Sequence, residues 1–178
     1  GLTILFGNGS GGFTPGQELA VPGVLGLARG DLGGDAMPDL VMSHGDDDSI
    51  TIAINDGSGT VVVDAQLPIV GAPVPAGPDA IAVADFDDDG DDDVAVLGAL
   101  DASAHLFAQN AGGFDEVWTG PIGGSPGGLA AGRIGADAPG LAIANLAGTS
   151  VAVLTYTGGG FDTSDSVVVG AGPRGVAL

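Results

Sequence analysis

The sequence predicts an all-β protein built from four-stranded antiparallel units, on three observations. Its apolar residues are mostly Val, Ala, Leu and Ile, in short runs separated by glycines, and 35 of the 178 residues are Gly. A glycine-rich block recurs four times, each time between two such runs, which is the pattern of a β-hairpin. A second apolar block, which precedes a loop, recurs out of phase with the first. Together these blocks predict four short strands in each repeat.

The repeat length predicts how these units are arranged. The glycine-rich blocks close at residues 13, 61, 114 and 161, which are 48, 53 and 47 residues apart. Four antiparallel strands at this period predict a β-propeller in which each unit is one blade. The chain is then a single, partial propeller over 1–178, with about three and a half blades. The units span about 2–20 (outer strands only), 25–71, 80–120, 128–170 and 175–178 (the start of a next blade).

The charge balance excludes several classes of partner. The formal net charge is −20, and the cationic residues are three arginines with no Lys. Nucleic acids and anionic membrane surfaces are bound mainly by Lys and Arg, so neither is an expected partner.

Cysteine is absent, which excludes disulfides and thiolate chemistry. No apolar run approaches the roughly 20 residues of a membrane helix, so membrane insertion is not expected.

The acidic residues are concentrated in one segment, 85–93, which has seven Asp in nine residues. Two like charges 4 Å apart repel by about 1 kcal/mol in water and about 4 kcal/mol near a protein surface. A cation is therefore expected in this loop, and carboxylate oxygens without Cys or His select a hard ion, above all Ca²⁺. The candidate ligands are the side chains of Asp85, Asp87, Asp89 and Asp93 and the backbone carbonyl of Asp91.

These motifs resemble a known repeat. The Asp-x-Asp-x-Asp-Gly-x-x-Asp loop between two strands, together with the Gly-x-Gly-Gly-Phe hairpin at 9–13, is similar to the FG-GAP/VCBS repeat. That repeat builds the integrin α-chain propeller and many bacterial secreted propellers. The resemblance implies that the same five aspartates of loop 85–93 bind Ca²⁺.

The equivalent loops of the other units depart from this pattern. Loop 31–39 has acids at the first, fifth and ninth positions, but Gly33 at the third and Ala36 where Gly is expected. It is a second, less complete calcium candidate. The fourth unit begins its loop with Arg133 and is expected to hold no metal, with the guanidinium in place of a cation. The second-site residues are Asp31, Asp35 and Asp39.

The remaining polar residues are assigned no role in a site. Asp88 and Asp92 are expected to point outward into solvent. His44 and His105 occupy non-equivalent repeat positions, and nothing in the sequence indicates a Ser or Asp partner for either. A catalytic triad is therefore not predicted.

The sequence thus predicts a calcium-stabilised extracellular propeller module with a binding, adhesion or assembly role, and not an enzyme. The alternative is the propeller part of a secreted polysaccharide-active enzyme whose catalytic residues lie outside this segment. The expected partners are a protein or glycan ligand at a surface, or further blades or subunits that complete the propeller. The expected location is the extracellular space or cell surface, with the periplasm as an alternative, because calcium is plentiful there.

Overall fold

The computed structural model describes residues 1–70, 76–134 and 138–178, which form antiparallel β-strands. The predicted all-β class with four-stranded antiparallel sheets is confirmed, since three such sheets follow one two-stranded sheet. Each sheet consists of strands that are consecutive in the sequence. No helix in the described ranges has the length and apolarity needed to cross a membrane.

The strands have the following bounds. The first sheet contains β1 (Leu2–Gly7) and β2 (Phe13–Leu19). The second contains β3 (Val24–Gly30), β4 (Asp39–His44), β5 (Ser49–Asn55) and β6 (Val61–Pro68). The third contains β7 (Pro78–Ala84), β8 (Asp93–Gly98), β9 (Ser103–Asn110) and β10 (Gly113–Pro121). The fourth contains β11 (Pro126–Ile134), β12 (Ala138–Asn145), β13 (Ser150–Tyr156) and β14 (Phe161–Val168).

The glycine-rich blocks form the outer hairpin turns of the sheets. In the turn between β5 and β6, the Asp56 carboxylate accepts the Ser58 amide at 2.8 Å, and the Asp56 amide donates to the Thr60 carbonyl at 3.0 Å. Asn8 has the same role between β1 and β2, where its side-chain oxygen accepts the Ser10 amide at 2.9 Å. An Asx turn of this kind explains why the block begins with Asn or Asp and continues with Gly.

The hydrophobic core is divided among the spaces between neighbouring sheets. Alternate residues of a strand point to opposite faces, so the second strand of a sheet contributes to two cores. In β8, Val94 and Val96 pack toward the second sheet, whereas Ala95 and Leu97 pack toward the fourth, and all four are buried. Burial on both faces explains the continuous apolar run of this strand.

Aromatic rings join the third sheet to the fourth. Phe161, at the start of β14, is buried and meets Phe86 at a centroid distance of 5.1 Å and Trp118 at 5.3 Å. Both contacts are edge-to-face, the arrangement that the ring quadrupoles favour. Phe86 lies in the acidic loop, so this cluster anchors the loop to the core.

The first strands of successive sheets lie side by side, β3 against β7 and β7 against β11. This approach requires small residues. A Cβ atom added at Gly26 of β3 would lie 2.2 Å from the carbonyl oxygen of Asp79 in β7, which is too close for any side chain. Residues 174–178 lie beside β11 in a similar way, with the Arg174 carbonyl oxygen next to Gly128.

Candidate metal centre

Loop 85–93 connects β7 to β8 and turns back on itself within a few residues. Gly90 takes φ +100° and Asp88 takes φ +60°, both in the left-handed region. Glycine adopts this conformation without penalty, and Asp is among the few other residues that tolerate it. The tight turn brings alternate aspartates of the loop together.

Three of the predicted ligands lie close together. Carboxylate oxygens of Asp85, Asp87 and Asp89 lie within 4.8 Å of one another. The loop backbone holds each of them. The Asp85 carboxylate accepts the amides of Asp89 and Gly90, both at 3.1 Å, and the Asp87 carboxylate accepts the Asp89 amide at 3.2 Å. The Asp91 amide donates to Asp89 at 3.0 Å, while ligation by the Asp91 carbonyl stays a prediction.

Burial and mutual repulsion both disfavour the charged form of carboxyls in this group. Partial burial, and next the negative charge of Asp89, raise the pKa of the Asp87 carboxyl above its ordinary value. The same charges extend to the neighbouring sheet. Burial, followed by the charges of Asp87 and Asp93, raises the pKa of the Tyr156 hydroxyl. A cation in the loop would relieve this repulsion.

Asp93, the ninth residue of the loop, lies at the start of β8. The residue as a whole is 1% exposed to solvent. Its carboxylate accepts two backbone amides, that of Phe86 at 2.9 Å and that of Gln109 in β9 at 3.0 Å. Burial raises the pKa of Asp93 to about 6, and the charges of Asp87 and Asp89 add to the effect. Asp93 therefore ties both the loop and β9 to the start of β8.

Loop 31–39 repeats the same construction in the second sheet. Carboxylate oxygens of Asp31, Asp35 and Asp39 lie within 4.8 Å of one another. Asp39 is fully buried and accepts the amides of Leu32 at 2.8 Å and Asn55 at 2.7 Å, as Asp93 does in its own sheet.

Ala36 occupies the position of Gly90 in this second loop and also takes a positive φ, +63°. A non-glycine residue in this region costs on the order of 1 kcal/mol. The amide of Ala36 donates to the Asp31 carboxylate at 2.8 Å, which helps to hold the unfavourable conformation. Because Gly33 stands where the other loop has Asp87, loop 31–39 offers three candidate side-chain ligands, whereas loop 85–93 offers four once Asp93 is counted.

The donor chemistry of both groups fits a hard cation. Every candidate side-chain ligand is a carboxylate oxygen, and such a set favours Ca²⁺ or Mg²⁺ over softer metals. The groups are partly exposed, so an ion could enter from solvent. The structure therefore shows two acidic groups, within the described residues, that could hold a metal ion.

Two aspartates of the loop have roles that the sequence did not indicate. Asp88 and Asp92 were both expected to face solvent. Asp88 is exposed, as expected, whereas Asp92 is half-buried. The Asp92 carboxylate accepts the Asp31 amide of the second sheet at 2.8 Å, and Asp88 forms an ion pair with Arg133 of the fourth sheet. The predicted role of Arg133 in its own loop concerns a segment, 135–137, that lies outside the described residues.

A buried histidine cluster was also missed. His105 Nε2 lies 2.6 Å from the Ser103 hydroxyl, and Nδ1 lies 2.7 Å from Glu116. Ser103 and His105 alternate on one face of β9, which is the signal that could have paired them. The arrangement has the connectivity of a catalytic triad, but the Ser103 hydroxyl donates its proton to Asp101 at 2.6 Å. Ser103 and His105 are also buried, at 9% and 1% exposed, so a substrate has no direct access to either side chain in this structure.

Comparison with known proteins agrees with the repeat assignment. Residues 31–96 match the family model described as an FG-GAP-like repeat. The predicted resemblance is confirmed over these residues, which include both acidic loops. No curated protein matches the chain.

Solved structures share the fold at low sequence identity. A periplasmic gluconolactonase from Pseudomonas aeruginosa is 18% identical, with a TM-score of 0.63 over 90% of this chain and 43% of that one. A protein from Lactobacillus plantarum is 15% identical, with a TM-score of 0.73 over 97% of this chain and 50% of that one. A Bacteroides fragilis protein, provisionally assigned as a 6-phosphogluconolactonase, is 15% identical, with a TM-score of 0.59 over 83% and 42%.

These likenesses confirm the predicted propeller class and correct one functional prediction. This chain spans half or less of the length of each of the three structures. The prediction that the chain is not an enzyme is contradicted, because similar structures are named as a gluconolactonase and a 6-phosphogluconolactonase. That prediction relied on the lack of a local catalytic motif, whereas functional residues on such a fold come from separate loops.

Proposed function

We propose that this chain, in which residues 31–96 form an FG-GAP-like repeat, is part of a β-propeller whose acidic loops bind Ca²⁺ for structural support. The observation that carries the proposal is the convergence of Asp85, Asp87 and Asp89 within 4.8 Å in a loop that supplies no cation of its own. Loop 31–39 is the second, weaker site. The bound ion would neutralise the carboxylates and hold the turn between the first two strands of a blade.

Calcium is favoured over magnesium by the form of the loop. Ca²⁺ takes six to eight oxygens in a flexible arrangement, and one loop can supply several of them from nearby side chains and carbonyls. Mg²⁺ requires near-octahedral geometry and gives up its water reluctantly. The three grouped carboxylates lie on a partly exposed turn, where Asp93, the Asp91 carbonyl and water can complete the shell.

Calorimetric titration with Ca²⁺, and separately with Mg²⁺, tests this proposal. Asp87→Asn removes one charge from the group while retaining an oxygen for the Asp89 amide. We expect at least a tenfold weaker calcium affinity at the tighter site, which corresponds to about 1.4 kcal/mol. The matched control is Asp64→Asn, because Asp64 is an exposed β6 residue outside both groups. A parent protein that binds no calcium, or an equal effect of both substitutions, would refute the proposal.

We further propose that additional blades or subunits cover the exposed side of the second sheet. Between the first and second sheets lies an apolar groove of about 370 Å³, whose lining includes Leu2, Ile4, Leu27, Leu40 and Val61. In β3, Leu25 is 61% and Leu27 50% exposed. In a closed propeller this face packs against the inner strands of the preceding blade. If so, Leu27→Glu lowers the melting temperature of a completed assembly and leaves that of this chain unchanged.

A sugar-lactone hydrolase is the second candidate function, favoured by the names of the similar structures. The periplasmic neighbour also supports a periplasmic or extracellular location, where a modest calcium site would stay filled. Proton release from glucono-δ-lactone, measured at constant pH with calcium and with chelator, tests this candidate. A rate equal to that of the buffer alone, in the completed propeller, would rule it out and leave surface binding or assembly as the role of the module.

A further inference from the structure

We infer that cation binding in loop 85–93 controls how the third sheet docks on its two neighbours, through the aspartates that alternate with the ligands. This inference rests on the proposed calcium function of the loop. The grouped carboxylates Asp85, Asp87 and Asp89 face one another, whereas Asp88 and Asp92 reach the adjacent sheets. One short loop therefore joins an ion site to two contacts between sheets.

The Asp92 contact is the stronger of the two. Its Oδ2 accepts the backbone amide of Asp31, which is 61 residues away in sequence, at 2.8 Å. Both residues are half-buried, so the hydrogen bond is partly shielded from water. A Cβ atom at Gly30 would lie 2.8 Å from the same oxygen, so the glycine makes room for Asp92. A hydrogen bond to a charged acceptor in such a place is among the stronger ones in proteins.

The Asp88 contact lies on the opposite side of the loop. Its carboxylate pairs with the Arg133 guanidinium of β11, and each side chain is about half exposed, at 55% and 54%. An exposed ion pair contributes little on its own. Its geometry depends on the loop, however, because Asp88 is held at φ +60° directly between two of the grouped carboxylates.

The ion links these contacts because it fixes the backbone from which both side chains project. Without a cation, repulsion among the carboxylates favours a wider and more mobile loop. With one bound, the backbone at 88–92 is restrained, and the contact of Asp92 with the Asp31 amide persists for a larger fraction of the time. The structural change can be small, because restricting motion is enough to couple two sites.

Hydrogen exchange of the Asp31 amide, measured by NMR, tests the inference directly. We expect exchange about fivefold slower with Ca²⁺ than with chelator, the effect of one persistent hydrogen bond. The experiment is done in parent and in Asp35→Ala, which disables loop 31–39 so that an ion there cannot protect the amide. Asp92→Ala should abolish the calcium effect, while Asp92→Asn, which retains an acceptor oxygen, should keep most of it. Asp88→Asn, which tolerates the same positive φ and removes only the charge of the Arg133 pair, should leave the Asp31 amide unaffected.

A separate readout distinguishes failure of this inference from failure of the proposed function. Tyr156, the single tyrosine, packs against Phe161 at a centroid distance of 5.6 Å, and Phe161 in turn contacts Phe86 of loop 85–93. Terbium emission sensitised through Tyr156 and displaced by calcium therefore reports an ion in this loop. If no ion binds, both proposals are overturned. If calcium displaces terbium but the Asp31 exchange rate is unchanged, or changes equally in Asp92→Ala, only the coupling is overturned.

Discussion

Replacing Asp93 with Ala separates the structural role of the acidic loop from its role toward a cation. Asp93 is buried, and its two carboxylate oxygens accept the amides of Phe86 and Gln109 at 2.9 and 3.0 Å. These bonds form without any ion. The substitution should therefore destabilise the protein even in the presence of a chelator.

The magnitude follows from two opposing effects. Each amide left without an acceptor costs about 1–3 kcal/mol when it is buried. The substitution also removes a carboxylate whose burial is unfavourable, as shown by a pKa raised to about 6, and this gain offsets part of the loss. The two amides together cost about 2–6 kcal/mol, and relief of the pKa rise from 3.8 to about 6 returns roughly 3 kcal/mol. We therefore expect a net decrease in the free energy of unfolding of up to about 3 kcal/mol for Asp93→Ala at pH 7 without calcium.

Urea unfolding followed by far-UV circular dichroism, in chelator, measures this decrease. Asp89→Ala is the comparison, because Asp89 is exposed and accepts a single amide of its own loop, that of Asp91. Its free energy of unfolding in chelator should stay within about 0.5 kcal/mol of the parent value. The reasoning is refuted if the two variants unfold at the same urea concentration.

Three further outcomes are expected. Calcium at a hundredfold excess over its Kd should stabilise the parent by about 2.7 kcal/mol, which raises the melting temperature by about 5–10 °C. Calorimetry should show that Asp89→Ala loses this gain, whereas the control Asp64→Ala keeps it. In chelator, stability should rise as pH falls from about 7 to about 5. The folded state, with the pKa of Asp93 at about 6, retains a proton that the unfolded chain releases near the ordinary value of 3.8. This contribution is fully present below the lower value and is lost as pH rises through the higher one, so Asp93→Asn should show a weaker dependence in urea titrations at each pH. Gly26→Ala should lower the melting temperature in either condition, because its Cβ would lie 2.2 Å from the Asp79 carbonyl oxygen; an unchanged value would contradict the close packing of β3 and β7.

Local patterns in the sequence were sufficient to predict the sheets and the grouping of carboxylates. The glycine-rich blocks marked the outer hairpin turns, because an Asx turn needs an Asn or Asp, such as Asn8 or Asp56, followed by glycine. The spacing between these blocks then indicated four strands in each unit. The alternation of Asp85, Asp87 and Asp89 before a glycine likewise predicted their convergence. In both cases the determining contacts lie within a few residues, so they can be deduced from the sequence.

Contacts between sheets could not be predicted in this way. Asp92 meets an amide 61 residues away, and Arg133 meets Asp88 45 residues away, so neither pairing has a local signature. The spacing that marked Asp93 as a ligand also gave no sign that two buried amides already use its oxygens. Function was harder still, because a fold shared by proteins with different names does not specify the chemistry of one chain.

The aromatic cluster at Phe161 provides an intrinsic fluorescence probe of the contact between the third and fourth sheets. Trp118, the single tryptophan, belongs to the third sheet, and its ring contacts Phe161 of the fourth at 5.3 Å. The fluorescence of Trp118 therefore reports the packing between the third and fourth sheets rather than the strand pairing within either sheet. If the sheets separate before they unfold, tryptophan fluorescence will change at a lower denaturant concentration than circular dichroism does. Coincident transitions would instead mean that neighbouring sheets unfold as one cooperative unit.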